Sequence, residues 1–259
     1  MSFSLNTRET RENARELKFP ITRERAEAIR LWARPRLTPD PHASGDSGDE
    51  YQTTSLYFDT DALDVNNRRG SYGRSKYRIR RYGTSDVVFL ERKMRTSSML
   101  IKRRTAVSIE GLRHLDETPN PEWQGFWFHQ RMLARRLKPV CQVSYHRTAR
   151  LGTTAYGPMR LTIDDAIVGR YVSGLAFEPP TGVAVFEGQC VLELKFRAEM
   201  PVLFRHLIEE FALTAASVSK YRGAMLALGA GLPAEAEPGT EPAVADRRNP
   251  LLRPGTSLA

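Results

Sequence analysis

The 259-residue chain carries 39 Lys and Arg against 30 Asp and Glu, a net charge of +9 and a pI near 9.8, so its expected partners are polyanions: nucleic acid, polyphosphate, nucleotide or an anionic membrane. A hydrophobic fraction of 41% supports a real core in one large domain or two small ones. Two cysteines exclude a disulfide framework, and the lack of any run of 18 apolar residues excludes a membrane-spanning helix.

Residues 1–14 are polar and charged, with none of the apolar stretch of a secretory signal, and are expected to form a flexible arm. From Arg15 to Ile21, Leu17 and Phe19 alternate with Glu16 and Lys18, which predicts a strand. Thr22 then suits a helix N-cap, and Pro35 stops that helix after about Ala33. Residues 38–50 have loop composition, and YQTTSLYFDT from Tyr51 alternates as a strand.

Three strands of one design follow. In RSKYRIRRYG, Arg74, Lys76, Arg78, Arg80 and Tyr82 share a face. In VVFLERKMR, Val87, Phe89, Glu91, Lys93 and Arg95 share one face, and Val88, Leu90 and Met94 the other. In LIKRRTAVSIE, Lys102 and Arg104 lie opposite Ile101, Val107 and Ile109. Between Arg68 and Arg104 there are 13 Lys and Arg against only Asp86 and Glu91. Like charges facing each other on paired strands repel, so such a face needs water or a polyanion beside it. Arg presents a planar fork to phosphate oxygens and Lys a mobile point charge, a mixture suited to a chain of phosphates.

A helix is predicted from the Pro119–Pro121 stretch to about Leu137, with Phe126, Gln130, Leu133 and Leu137 as its stripe and Trp123 and Trp127 as an i,i+4 core pair. PVCQVSYHRTAR, MRLTIDDAI and CVLELKF read as further strands. Val143, Tyr145 and Arg147 share a face, as do Arg160, Thr162 and Asp164, and Glu193 and Lys195 stand opposite an apolar Cys190–Leu192–Leu194–Phe196 face. Pro201 opens a helix with Leu203, Leu207, Ile208 and Phe211 as its stripe, and SVSKYRGAMLALG forms another that ends at Gly229. From residue 231 onward the composition is rich in Pro, Ala, Glu and Gly and predicts disorder. Cys141 and Cys190, each in a strand, are expected as buried free thiols, which fits a cytoplasmic setting.

The predicted class is α+β: an antiparallel β-barrel of about eight strands with flanking helices over residues 15–230. Its apolar faces would lie outside under the helices and its cations in the lumen. A curved open sheet is equally consistent with the alternation.

The ordered run ELKF, SLYFDT, KYRIRRYG, FLERK, KRR, YHR, MRLTIDD, LELKF and SKYRG resembles the VTC (vacuolar transporter chaperone) domain of the triphosphate tunnel, or CYTH-like, superfamily. The resemblance spans about residues 15–228. It implies a tunnel that binds ATP and inorganic polyphosphate, and a polyphosphate polymerase that transfers the ATP γ-phosphate with Mn²⁺ or Mg²⁺. By resemblance, Arg78, Arg80, Lys93, Arg147 and Arg160 act on the transferring phosphates. Lys18, Lys76, Lys102, Arg104, Lys195, Ser219 and Lys220 hold substrate, and Glu193 is the metal ligand. One departure is that only Glu16 precedes Lys18 where the wider superfamily often has paired glutamates. This thins the metal cluster and favours the VTC branch over hydrolase and cyclase versions. Only 14 residues precede the first strand, so regulation and membrane attachment are expected from another chain, a membrane protein being the candidate partner. A non-catalytic phosphate-binding module and a metal-dependent triphosphatase are the alternatives. Nucleic acid is not the expected partner, because no aromatic stacking motif interleaves the cations.

Overall fold

The structure, a computed structural model, describes residues 6–11, 14–41, 43, 48–95 and 100–230. The predicted disordered tail, 231–259, lies outside the described residues. The strands are β1 (Asn6–Arg11), β2 (Ala14–Ile21), β3 (Thr38–Pro39), β4 (Glu50–Asp59), β5 (Ser75–Tyr82), β6 (Val87–Arg95), β7 (Leu100–Ser108), β8 (Lys138–Thr154), β9 (Gly157–Tyr171), β10 (Val183–Ala184) and β11 (Cys190–Arg197). The helices are α1 (Arg23–Ala33), α2 (Phe126–Ala134), α3 (Val202–Glu210) and α4 (Lys220–Ala227).

All strands belong to one antiparallel sheet in the order β1-β7-β6-β5-β4-β8-β9-β11-β2, with β3 and β10 pairing at its margins. The predicted closed barrel is corrected here. The hydrogen-bonded path among the described residues has two ends, β1 and β2. These two strands are consecutive in the chain, yet β1 pairs with β7 and β2 with β11, so the sheet curls until its edges are neighbours without a shared ladder. Side chains bridge the gap: Lys93 of β6 donates to Glu16 of β2 at 3.0 Å. Part of the segment expected to be a loose arm, residues 6–11, is the edge strand β1, in register with residues 100–105 of β7.

The apolar material lies outside the curl, in two clusters. Phe19, Ile21, Ile163, Leu192 and Leu194 on the outer faces of β2, β9 and β11 pack under Ile29 of α1 and Phe204 and Leu207 of α3. Leu56, Ile79, Leu90, Val143 and Ile167 pack under Trp127 and Phe128 of α2 and Tyr221 and Met225 of α4. Helices cover both clusters because the opposite strand faces carry charge that needs water or ligand. The Thr22 cap forms as expected, accepting from the backbone N–H of Arg25 at 3.3 Å. Cys141 and Cys190 are buried free thiols, and burial pushes the Cys141 thiol up to about 12.

The helix expected from residue 119 to 137 is shorter, because the Pro119–Pro121 stretch stays in turns and α2 begins only at Phe126. Its buried face is Trp127, Phe128 and Met132, not the predicted stripe, and Leu133 is 56% exposed. Trp123 lies before the helix, tilted against His114, and does not pair with Trp127 across a helical turn.

Candidate functional site: a cationic tunnel

The curled sheet encloses a cavity of about 330 Å³. Strand alternation carries Lys76, Arg78 and Arg80 of β5, Lys93 of β6, Lys102 and Arg104 of β7, Arg147 of β8, Arg160 of β9 and Lys195 of β11 to its wall. Lys18, Ser219, Lys220 and Glu193 border this wall through its ion pairs and hydrogen bonds. All thirteen residues singled out in the sequence therefore converge on one lumen or the groups that frame it.

Buried acids hold these cations in position. Glu91, 2% exposed, receives Arg78 at 2.6 and 2.7 Å, Arg104 at 3.3 Å and Lys102 at 3.5 Å. Burial opposes its ionisation, but the pull of Arg78, Arg80, Lys102 and Arg104 holds the carboxyl well below the usual range. Asp164, wholly buried, takes both arms of Arg147 at 2.6 and 2.8 Å and Lys220 at 2.5 Å. Against burial, these two cations hold it at about 2. Glu16 meets Lys18 at 2.9 Å and Lys93 at 3.0 Å, and Glu193 meets Lys18 at 3.5 Å and also pairs with Lys195. Burial and Glu193 raise Glu16, yet Lys195, Lys93 and Lys18 bring it to about 2.

Hydroxyls complete the frame. Arg80 is only 6% exposed and donates to Ser55 and to the Tyr145 hydroxyl, both at 3.1 Å. Arg78 reaches the Tyr57 hydroxyl at 3.3 Å. Arg160 bonds Tyr51 at 2.8 Å and Asp40 at 2.6 Å. Burial raises Tyr57 and Tyr82, but neighbouring arginines outweigh it and lower both phenols to about 8. Lys76 is brought down to about 8 by burial and by repulsion from Lys18, Lys93 and Arg78, against the pull of Tyr57.

The segment Ser219–Lys220–Tyr221 closes the end of the tunnel beside Lys76. Ser219 caps α4 by accepting from the Arg222 backbone N–H, and its hydroxyl also receives Lys76 at 2.8 Å. Tyr221 stacks on Tyr57 with centroids 5.0 Å apart and donates to Asp59 at 2.6 Å. Lys18 donates to the Val218 carbonyl at 3.2 Å, tying β2 to the same end. Glu91, Asp164, Tyr57 and Tyr145 are functional neighbours that sequence reasoning did not single out. Their signal was present: each falls on the polar face of a strand that also carries predicted cations.

The family model described as the VTC domain matches residues 13–228. The chain belongs to that family. No curated protein matches it. Among solved structures, a proposed adenylate cyclase from Bacillus halodurans superposes with a TM-score of 0.53 at 15% identity, over 82% of this chain and 95% of that one, which supports the tunnel fold. A proposed adenylyl cyclase from Hippeastrum, described as having a dominant triphosphatase activity, gives 0.47 at 15% identity over 84% and 97%. The PH1819 protein from Pyrococcus horikoshii gives 0.44 at 12% identity over 82% and 98%.

A divalent ion is expected in this fold family. Among the described residues, no three His, Cys, Asp or Glu side chains gather as a metal cage. Glu16 and Glu193 nevertheless stand on paired strands as diagonal neighbours, since Lys18 lies opposite Glu193 and Lys195 opposite Glu16. Both are held ionised. Mg²⁺ characteristically uses one or two carboxylates and completes its shell with water and substrate phosphates, so this pair fits such an ion.

Proposed function

We propose that this VTC domain is a polyphosphate polymerase-type phosphotransferase that moves the ATP γ-phosphate onto an inorganic polyphosphate chain. The observation that carries the reading is the convergence of Lys76, Arg78, Arg80, Lys93, Arg147 and Arg160 on one enclosed lumen. Phosphoryl transfer asks mainly for positioning and charge stabilisation, which such a wall supplies without a protein nucleophile. An oxygen of the terminal phosphate of the chain attacks the γ-phosphorus in line. The bond from the γ-phosphorus to the β-bridging oxygen breaks, and ADP leaves. Arg78, Arg80 and Lys93 hold the γ-phosphate, Arg147, Arg160 and Lys220 hold the β-phosphate and the leaving ADP, and Lys18 holds the acceptor. Lys76, Lys102, Arg104, Lys195 and Ser219 track the remaining phosphates. Glu193 with Glu16 would hold a Mg²⁺ or Mn²⁺ ion, which offsets phosphate charge.

No described helix is long and apolar enough to cross a membrane. In this reading the domain works in the cytoplasm, with any membrane attachment supplied by a separate membrane protein. The absence of a three-carboxylate cage among the described residues favours, as a second reading, a module that binds polyphosphate without turnover.

Incubation with ATP and Mn²⁺ or Mg²⁺, with products resolved on a polyphosphate gel, tests the proposal. A polymer ladder with matching ADP is the expected result. Free phosphate alone would indicate a triphosphatase, and tight binding without ATP loss the binding module. Arg78→Ala is expected to raise the barrier by about 3–4 kcal/mol.

A further inference from the structure

A larger cavity, about 720 Å³, lies on the opposite side of the β6–β7 ribbon, under α2. Arg92 and Arg103 stand directly opposite each other across that ribbon, and the register of β1 sets Arg8 opposite Arg103 in the same row. Arg131 of α2 completes the basic wall, while Pro119, Phe126 and Leu133 form an apolar one. Cations facing each other on paired strands destabilise a sheet unless an anion lies beside them. In the tunnel, buried carboxylates meet this need, but no Asp or Glu lines the outer groove. Arg92 and Arg131 form no ion pair with a described residue, and the buried Nε of Arg92 meets no hydrogen-bond acceptor there. Arg103 is held flat against the Trp127 ring at 4.3 Å, and the Trp127 indole donates to Thr105 at 2.8 Å, so this part of the wall is built rather than loose.

We propose that this groove is a second anion site, distinct from the tunnel, which takes a phosphorylated small molecule with an apolar body. Its volume is that of ordinary small-molecule sites, roughly 300–1,000 Å³. The guanidiniums suit phosphate oxygens, and the Phe126–Leu133 wall suits the organic part. A nucleotide has this chemistry, whereas bare polyphosphate lacks the apolar half.

The test counts ATP bound to the full chain by calorimetry in EDTA, so that no turnover intervenes. Wild type should show two events per chain. Arg131→Glu should weaken one by at least about tenfold and spare the other, with Arg131→Lys restoring part of the loss. Arg78→Ala should do the reverse, because Arg78 lies in the tunnel. Inorganic tripolyphosphate should compete well at the tunnel and poorly at the groove. A single event that ignores Arg131→Glu would overturn the groove and leave the tunnel reading intact. A single event lost in Arg131→Glu and kept in Arg78→Ala would support the groove and count against the tunnel. Absence of any binding would overturn both, and equal competition by tripolyphosphate at the groove would overturn the assigned ligand class.

Discussion

At the scale of single residues, the tunnel is a balance of unlike charges in which cations predominate. Asp164 is the clearest case, because it alone stands between Arg147 and Lys220 in the buried wall. Asp164→Asn leaves two buried cations without their counter-charge, a change that costs about 3–5 kcal/mol. The melting temperature should fall, and tripolyphosphate should recover part of it by taking the place of the carboxylate. Asp164 and Glu16 sit at about 2 in the folded chain against ordinary values of 3.8 and 4.5. Their folded values are depressed, so the stability they give is complete above pH 4.5 and is lost as pH falls toward 2. A series of thermal melts across that range should show the loss, and Glu16→Gln should remove its share of the slope. Lys76, Tyr57 and Tyr82 sit at about 8. An entering polyanion favours the protonated form of all three, so tripolyphosphate binding near pH 8 should take up protons, and affinity should fall as pH rises above that value. Calorimetry in buffers of different ionisation heat reads the uptake directly, and Lys76→Met should reduce it.

At the scale of elements, α4 is the piece whose position decides whether the tunnel has a floor. It delivers Ser219, Lys220 and Tyr221 to the lumen, and it sits tightly against the segment before β11. A Cβ at Gly223 would lie 2.4 Å from a ring carbon of Phe186, so the helix or that ring must move. Gly223→Ala should therefore cost about 1–3 kcal/mol of stability and also weaken tripolyphosphate binding. Leu226→Ala, at a position 65% exposed on the same helix, should change neither. The contrast between these variants, read by melting and by binding, separates the placement of α4 from its mere presence. The helix α2 teaches a different lesson. Its predicted stripe of Phe126, Gln130 and Leu133 faces the outer groove, while Trp127, Phe128 and Met132 enter the core. Both stripes are apolar at helical spacing, so periodicity could not choose between them.

At the scale of the whole molecule, the inside and outside of the sheet have exchanged their usual roles. The apolar faces point outward to helices and the charged faces inward, so the folded state carries an internal electrostatic cost that a polyanion relieves. Saturating tripolyphosphate at a hundredfold excess over its Kd should stabilise the chain by about 2.7 kcal/mol, visible as a raised melting temperature. High salt should erode this gain, though less for the enclosed cations than for surface ones.

Strand alternation and one-sided charge determined much of this from the sequence: which residues share a face, that Lys76, Arg78 and Arg80 stand with Lys93, Lys102 and Arg104, and that the partner is a chain of phosphates. These are local properties, fixed by the two-residue repeat of a strand. Which faces meet across the lumen was not local. The pairing of Glu16 with Lys93, the burial of Asp164 between Arg147 and Lys220, and the reach of Lys76 to Ser219 join residues far apart in the chain. The open edge between β1 and β2 is likewise set by ladder partners and curl, since each strand satisfies its backbone with a distant neighbour. Only the tertiary structure decided these, because the energy of a buried ion pair depends on distances that no spacing along the chain specifies.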